Sequence, residues 1–374
     1  MKLPFEFGEV VSESYFVNRE MERKRLKTNL SGGLNTILIS PRRWGKSSLM
    51  KQLQIDCQKE NLIFCFVDLF QIKNEDEFYH LLVDEIIKKT SSHWEEWVKT
   101  ARQFFKALTP KLSMGLDPQS DFKLGFEWED LKKNYSEVLH LAEKVAKEKK
   151  VRIVLCVDEF QNVSRFDDPL LFQQRLRSIW QEHKNVSYCI YGSKKHLMME
   201  LFQSQSMPFY KFGDVIFLEK IESKAWIPFI QKKFEESNKS IKSNLCQMIV
   251  NAVDYHPYYV QQLSLWCWLR TEQKATKKIF EEAKSDLLNQ NTIIYSKEVD
   301  QLSNTQINFL EALVMGEINF HANEVITKYK LGSSSNVTRI KEALEKKEII
   351  DSFNKKIEFL DPVFKLWFKE RYMN

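Results

Sequence analysis

The chain has 374 residues, enough for two or three domains at the usual ~100–200 residues each. Hydrophobic residues at 43% and charged residues at 29% are the proportions of a globular protein with material for a real core, which sets aside disordered and fibrous classes. A net charge of +5, spread along the chain, favours a nucleic-acid partner only weakly.

Ten glycines and nine prolines leave little room for long linkers. The six cysteines form no C-x-x-C pair, and Cys65, Cys156 and Cys189 lie in apolar strand-like runs. They read as small core residues in a reducing compartment. The seven histidines show no metal-ligand spacing. The N-terminus has no apolar signal core and no run approaches the ~20 apolar residues of a membrane span. The expectation is a cytoplasmic protein with no membrane association.

After Tyr15-Phe-Val-Asn-Arg-Glu20, a first helix is expected, with Glu20, Arg23 and Lys27 polar and Met21 and Leu26 available for packing. Asn35-Thr-Ile-Leu-Ile-Ser-Pro-Arg-Arg-Trp-Gly-Lys-Ser-Ser-Leu-Met50 then reads as buried strand, tight loop and helix start. The loop nearly fits G-x-x-x-x-G-K-[ST], with Ser40 at the first glycine position. In such a loop, backbone N–H groups and the helix N-terminus wrap a polyphosphate. Lys46 would reach the β- and γ-phosphates, Ser47 would hold Mg²⁺ and Ser48 would add a bond to the α-phosphate. Gly45 lets the backbone come close. Pro41, Arg42, Arg43 and Trp44 complete the loop, and the two arginines are the best cations for charge near the phosphates or a neighbouring subunit.

Leu62–Asp68 is a further apolar strand, and 76–108 carries helical spacing. Trp94, Trp97, Phe104 and Phe105 there would make a satellite core or a partner surface. Residues 112–128 alternate around Asp117-Pro118 as a hairpin would, and a charged helix is expected over 129–149. Val151-Arg-Ile-Val-Leu-Cys-Val-Asp-Glu-Phe-Gln161 is a continuous apolar run ending in two carboxylates, as in a parallel strand buried on both faces. At the strand's carboxyl end, Asp158 would hold Mg²⁺ and Glu159 would orient or deprotonate the water that attacks the γ-phosphate.

Phe16-Val-Asn-Arg-Glu-Met-Glu22, Ser40-Pro-Arg-Arg-Trp-Gly-Lys-Ser-Ser-Leu49 and Asp158-Glu-Phe-Gln161 together resemble the prokaryotic archaeal-type P-loop ATPases, STAND-like relatives of the AAA+ superfamily. The resemblance spans roughly residues 4–290 and implies base-side roles for Val17, Asn18 and Arg19, with Asn18 where relatives often have glycine. Residues 168–183 form an amphipathic pattern (Leu170, Leu171, Phe172, Leu176, Ile179, Trp180) and Val186–Gly192 another strand. By the resemblance, Ser193 at its end would sense the γ-phosphate. Lys211 stands near a position where some relatives carry an arginine finger. In Asp254-Tyr-His-Pro257, Tyr255 replaces a usual glycine, Pro257 would lie against the base and His256 near the phosphates.

From about 296, three helices (303–314, 321–330, 334–347), two short strands (348–353, 357–360) and a last helix follow the winged-helix plan. Asn336, Thr338, Arg339 and Lys341 on its third helix could face a major groove. Residues 334–356 nevertheless balance Arg339, Lys341, Lys346, Lys347, Lys355 and Lys356 against Glu342, Glu345, Glu348 and Asp351, a weak basic face for a duplex binder.

The expected fold is α/β: a P-loop NTPase parallel-sheet core (1–220), an α-helical lid (221–293) and a winged-helix domain (294–374). The expected function is that of a slow, Mg²⁺-dependent ATPase switch, with ATP held between core and lid and winged-helix position controlling a protein partner or self-association. Two other readings stand beside it: a nucleotide-gated DNA-binding protein and a non-hydrolysing ATP-binding scaffold.

Overall fold

The computed structural model describes residues 3–11, 13–91, 111–114, 122–125, 134–353 and 356–373. Trp94, Trp97, Phe104, Phe105 and the Asp117-Pro118 turn lie outside them. The chain divides into two compact units, one of Glu20–Arg42 and Leu49–Leu218, the other of Met1–Arg19, Arg43–Ser48 and Glu219–Asn374.

The first unit is built on a parallel five-stranded sheet. Its strands are β1 (Thr36–Ile39), β2 (Leu62–Asp68), β5 (Arg152–Asp158), β6 (Val186–Gly192) and β7 (Asp214–Phe217), in the order β2-β5-β6-β1-β7. The middle strands β1 and β6 are buried at every position, which is why they read as unbroken apolar runs. Helices α1 (Glu20–Ser31), α2 (Lys46–Asp56, in this unit from Leu49 on), α3 (Glu75–Thr90), α4 (Tyr135–Leu139), α5 (Leu141–Lys149), α6 (Pro169–Trp180) and α7 (Lys195–Gln203) connect and cover them. A separate antiparallel pair, β3 (Lys111–Met114) with β4 (Phe122–Gly125), stands where the hairpin was expected.

Local chemistry explains several boundaries. Asn74 caps α3 by accepting from Glu77 N, and Asp168 caps α6 by accepting from Leu171 N. In α1 the packing pair is Leu26 and Leu30, four apart on one face, whereas the expected Met21 is 77% exposed. Met21 sits five residues before Leu26, which turns it well off that face. Leu170 and Leu171 in the first turn of α6 are likewise exposed, and Phe172, Leu176, Ile179 and Trp180 carry its packing. Bidentate pairs tie α1 down: Arg23 to Asp56 at 2.8 and 2.6 Å, and Arg25 to Asp214 at 2.8 and 2.5 Å.

In the second unit, four helices, α8 (Ser223–Glu235), α9 (Ser243–Ala252), α10 (Pro257–Arg270) and α11 (Lys277–Asp300), precede the winged-helix elements. These are α12 (Asn304–Val314), α13 (Asn323–Lys328), α14 (Ser334–Lys346), the antiparallel pair β8 (Ile350–Phe353) and β9 (Lys356–Phe359), and α15 (Pro362–Tyr372). Ser303 forms a full capping box with Gln306, and Ser333 caps α14. The N-terminal segment packs into this unit through Phe5, 1% exposed, whose ring lies edge-on to Phe229 and Phe234.

All six cysteines are free and buried. Burial pushes the Cys57 thiol up to about 11 and those of Cys246 and Cys267 up to about 12, so these are packing residues and poor nucleophiles.

Candidate active site

In an open α/β sheet, ligands bind outside the carboxyl ends of the strands where the chain order reverses. Here that point lies beside β1, because the chain leaves β1 for the far-edge strand β2 while β7 adds to β1's other side. Ser40 follows β1, Asp158 and Glu159 end β5, and Ser193 follows β6, so this edge gathers them. Ser40 is 1% exposed, and its N–H donates to Gly192 O at 3.4 Å.

Glu159 turns off the strand with φ of +51°, its own N–H donating to Asp158 Oδ1 at 2.8 Å. Its carboxylate oxygen Oε2 accepts the Ser193 hydroxyl at 2.7 Å and the Gln161 amide. Ser193 is 6% exposed. Among the described residues, the hydrogen bonds to this carboxylate all fall on Oε2. Neighbouring β2 places Asp68 in register with Asp158, a second carboxylate at this edge.

The second half of the loop, Arg43–Ser48, clusters in the unit that holds the helices and the winged helix. Arg43 and Gly45 both have left-handed backbone, φ +60° and +87°. Among the described residues, and apart from its chain neighbours, nothing lies within 4 Å of where a Cβ on Gly45 would stand, which leaves room for an anion to approach the backbone. Lys46, 6% exposed, opens α2, and Ser47 is exposed beside it. Ser48 accepts Val11 N at 3.0 Å through its hydroxyl, binding the loop to the N-terminal segment. Arg43 lies over the Tyr258 ring at 5.0 Å and Trp44 is edge-on to His256 at 6.2 Å. Pro41 is half-buried and Arg42 is exposed.

The base-side candidates are two consecutive left-handed residues after a buried valine. Val17 is 8% exposed, Asn18 has φ +59° and Arg19 φ +73°. Arg19 is 4% exposed and donates to Glu219 O at 2.6 Å. His256, 4% exposed, precedes Pro257, which opens α10 at the position where a missing N–H costs nothing. Lys211 is exposed, its ammonium 5.2 Å from the Tyr210 ring.

Three residues at these places carry no role that the sequence alone assigns. Gln161 stands in the Asp158-Glu-Phe-Gln161 run, but its partner Glu159 becomes visible only once the turn is folded. Asp68 ends an apolar run as Asp158 does, which is a signal available in sequence. Tyr259, one turn into α10, donates to Asp361 at 2.6 Å across 102 residues, and no local pattern announces that.

A family model described as an ATPase domain predominantly from Archaea matches residues 16–263, and one described as a probable winged helix domain matches residues 293–370. Among solved structures, a Walker-type ATPase of Pyrococcus abyssi is 18% identical with a TM-score of 0.69, over 98% of this chain and 100% of that one. The ORC2 protein of Aeropyrum pernix, in ADPNP-ADP complexes, is 12% identical with a TM-score of 0.55, over 100% of both chains. No curated protein sequence matches. Among the described residues, no helix is long and apolar enough to cross a membrane.

Proposed function

The chain belongs to the family of ATPase domains predominantly from Archaea and is a P-loop ATPase, and we propose that it acts as a slow molecular switch whose nucleotide state is passed to its winged helix. The observation that carries this reading is the grouping of Arg43–Ser48 with the helices and the winged-helix elements in one compact unit. Half of the phosphate loop thus packs with the elements that would respond to it.

ATP is the substrate. Lys46 draws the β- and γ-phosphates, the Gly45 backbone and Ser48 cradle the chain of phosphates, and Arg42 and Arg43 offset its charge. Pro41 and Trp44 shape the loop, while Val17, Asn18, Arg19 and Pro257 take the base side and His256 faces the phosphates. Glu159 accepts the proton of the attacking water and Ser193 senses the γ-phosphate. Ser47 and Asp158 are hard oxygen donors of the kind Mg²⁺ takes, and they fit that ion. When bound, Mg²⁺ neutralises phosphate charge.

With lysine at 211, no arginine finger is supplied there, and such fingers contribute ~10³–10⁵ in rate. Turnover is therefore slow in the isolated chain and rises on self-association or with a protein partner. Free, buried thiols fit a reducing, cytoplasmic setting. Duplex reading is the second proposal, favoured by Thr338 and Arg339, exposed on α14. Against it, the Asn336 amide is committed to Leu331 O at 2.8 Å, and Lys356 pairs with Glu358 at 2.5 Å.

The test is phosphate release from ATP-Mg²⁺ across protein concentrations, beside Lys46→Ala and Glu159→Gln, with duplex binding followed at rising salt. We expect turnover per chain to rise with concentration and to vanish in both variants. A parent that binds ATP yet releases no phosphate at any concentration defeats the hydrolytic cycle and leaves a binding scaffold. Salt-sensitive duplex binding that changes with ATP would favour the DNA reading.

A further inference from the structure

We propose that Gln161 is a positioning residue for ATP hydrolysis, its amide fixing the Glu159 carboxylate; this rests on the reading of Glu159 as the base. A glutamate carries three side-chain torsions, and Glu159 projects from a turn with left-handed backbone, so the fold must supply whatever aims it. Three donors do so, the Ser193 hydroxyl, the Ser193 backbone N–H at 3.4 Å and Gln161 Nε2, and all meet Oε2. Oε1 remains for the water.

The amide's orientation follows from chemistry. An ionised carboxylate only accepts, so the group facing it must be the NH₂ end. The other end, Oε1, is buried without a hydrogen-bond partner, and it points at Gly192. A Cβ on Gly192 would lie 2.1 Å from that oxygen and 2.6 Å from Met198 Sδ, so glycine at the end of β6 makes room for both side chains. A buried carbonyl with no partner is costly in folding terms and calls for a reason, which the bond at the amide's other end supplies.

The platform under Gln161 is rigid. It belongs to the 3₁₀ turn Phe160–Arg165, where Phe160 is buried against the Phe202 and Phe209 rings, which also meet each other. Asn162 next to it donates from its side chain to Leu69 O at 3.1 Å and from its backbone to Glu159 O at 2.9 Å. The Gln161 side chain is itself 2% exposed, so it has little freedom to act otherwise.

The experiment compares Gln161→Leu, Gly192→Ala, the Gln161→Ala Gly192→Ala double variant and Glu159→Gln with the parent. It measures kcat and KM for ATP, affinity for a fluorescent non-hydrolysable ATP analogue, and melting temperature. Misaiming a reacting group by about 1 Å can cost on the order of 100-fold, so Gln161→Leu should lower kcat by roughly 10–100-fold, with KM and analogue affinity at parental values. Gly192→Ala should do the same by displacing the amide, Met198 also being forced aside, and should cost less kcat in the Gln161→Ala background than in the parent. A Gln161→Leu variant with parental kcat overturns the proposal. So does one whose kcat, analogue affinity and melting temperature fall together, which a merely structural glutamine would give. Should Gly192→Ala not fold, Gln161→Leu and Gln161→Met decide alone. Glu159→Gln turning over like the parent defeats the base reading, and Gln161's role with it; an inactive Glu159→Gln beside a fully active Gln161→Leu defeats only the role of Gln161.

Discussion

Asn18 and Tyr255, like Ser40, stand where glycine is usual, and these two have left-handed backbone, with φ of +59° and +63°. A side chain in this region meets the following carbonyl, at about 1–2 kcal/mol for most residues; asparagine pays less because its short amide bonds locally. The departures were visible in sequence. Their meaning was not, since a missing glycine alone does not say whether the turn is kept or lost. The backbone shows that it is kept. Asn18→Gly should therefore leave stability within about 0.5 kcal/mol, relief of strain being offset by a freer unfolded chain. Asn18→Ala should cost about 1 kcal/mol, because alanine has the Cβ and no compensating amide. Urea unfolding of the three proteins checks this, and equal loss in both variants would show that the Asn18 side chain matters and its φ does not.

At the scale of elements, strands were the most legible part. β5 and β6 are continuous apolar runs with sharp polar ends, and they lie where those ends predict. The helix expected over 129–149 is not continuous. Its described part is two helices, α4 and α5, separated at His140, while 129–133 fall outside the described residues. The break serves a contact that periodicity cannot reveal: His140 Nδ1 lies 3.0 Å from His183 Nε2, and His183 Nδ1 lies 2.6 Å from the Tyr188 hydroxyl. Burial, with the nearby His140, lowers His183 to about 4, against a smaller opposing pull from Glu143. In the unfolded chain it titrates near 6.5. A depressed folded value means the contribution is whole above about 6.5 and is lost as pH falls towards 4, by up to about 3 kcal/mol and less for a ring still partly exposed. Unfolding midpoints from pH 7 to pH 4.5 should fall for the parent and fall less for His183→Gln. Parallel slopes in the two proteins would assign the acid sensitivity elsewhere.

Across the whole chain, what sequence could not show is which distant segments share a unit. Contacts such as Arg43 on Tyr258 and Trp44 on His256 join residues more than 200 positions apart, and separation of that kind leaves no period in a sequence. The same holds for a link between the ATPase-matched region and the winged-helix region, made at Asp361. Its Oδ1 caps α15 through Val363 N and Phe364 N, at 2.8 and 3.1 Å. Its Oδ2 accepts Tyr259 and Tyr295 hydroxyls at 2.6 and 2.9 Å. From Tyr259 the chain of contacts runs back to His256, ring to ring at 5.0 Å, and on to Trp44 in the phosphate loop. One carboxylate thus ends a path from the loop to the last helix. Burial first, and then the charge of Asp361, push both tyrosine hydroxyls above their ordinary value, so they stay protonated as donors. With the folded value raised, that support is complete below about pH 10 and is lost as pH rises beyond it. Asp361→Ala should cost about 2–4 kcal/mol, combining a lost cap with two buried hydroxyls left with only each other, 3.5 Å apart, in place of a carboxylate. Adding Tyr259→Phe and Tyr295→Phe should then cost less than it does in the parent, because the hydroxyls have already lost their acceptor. Urea unfolding of this set, followed by tryptophan fluorescence, measures the coupling. If the effects simply add, Asp361 is a helix cap alone and the tyrosines do not join the winged helix through it.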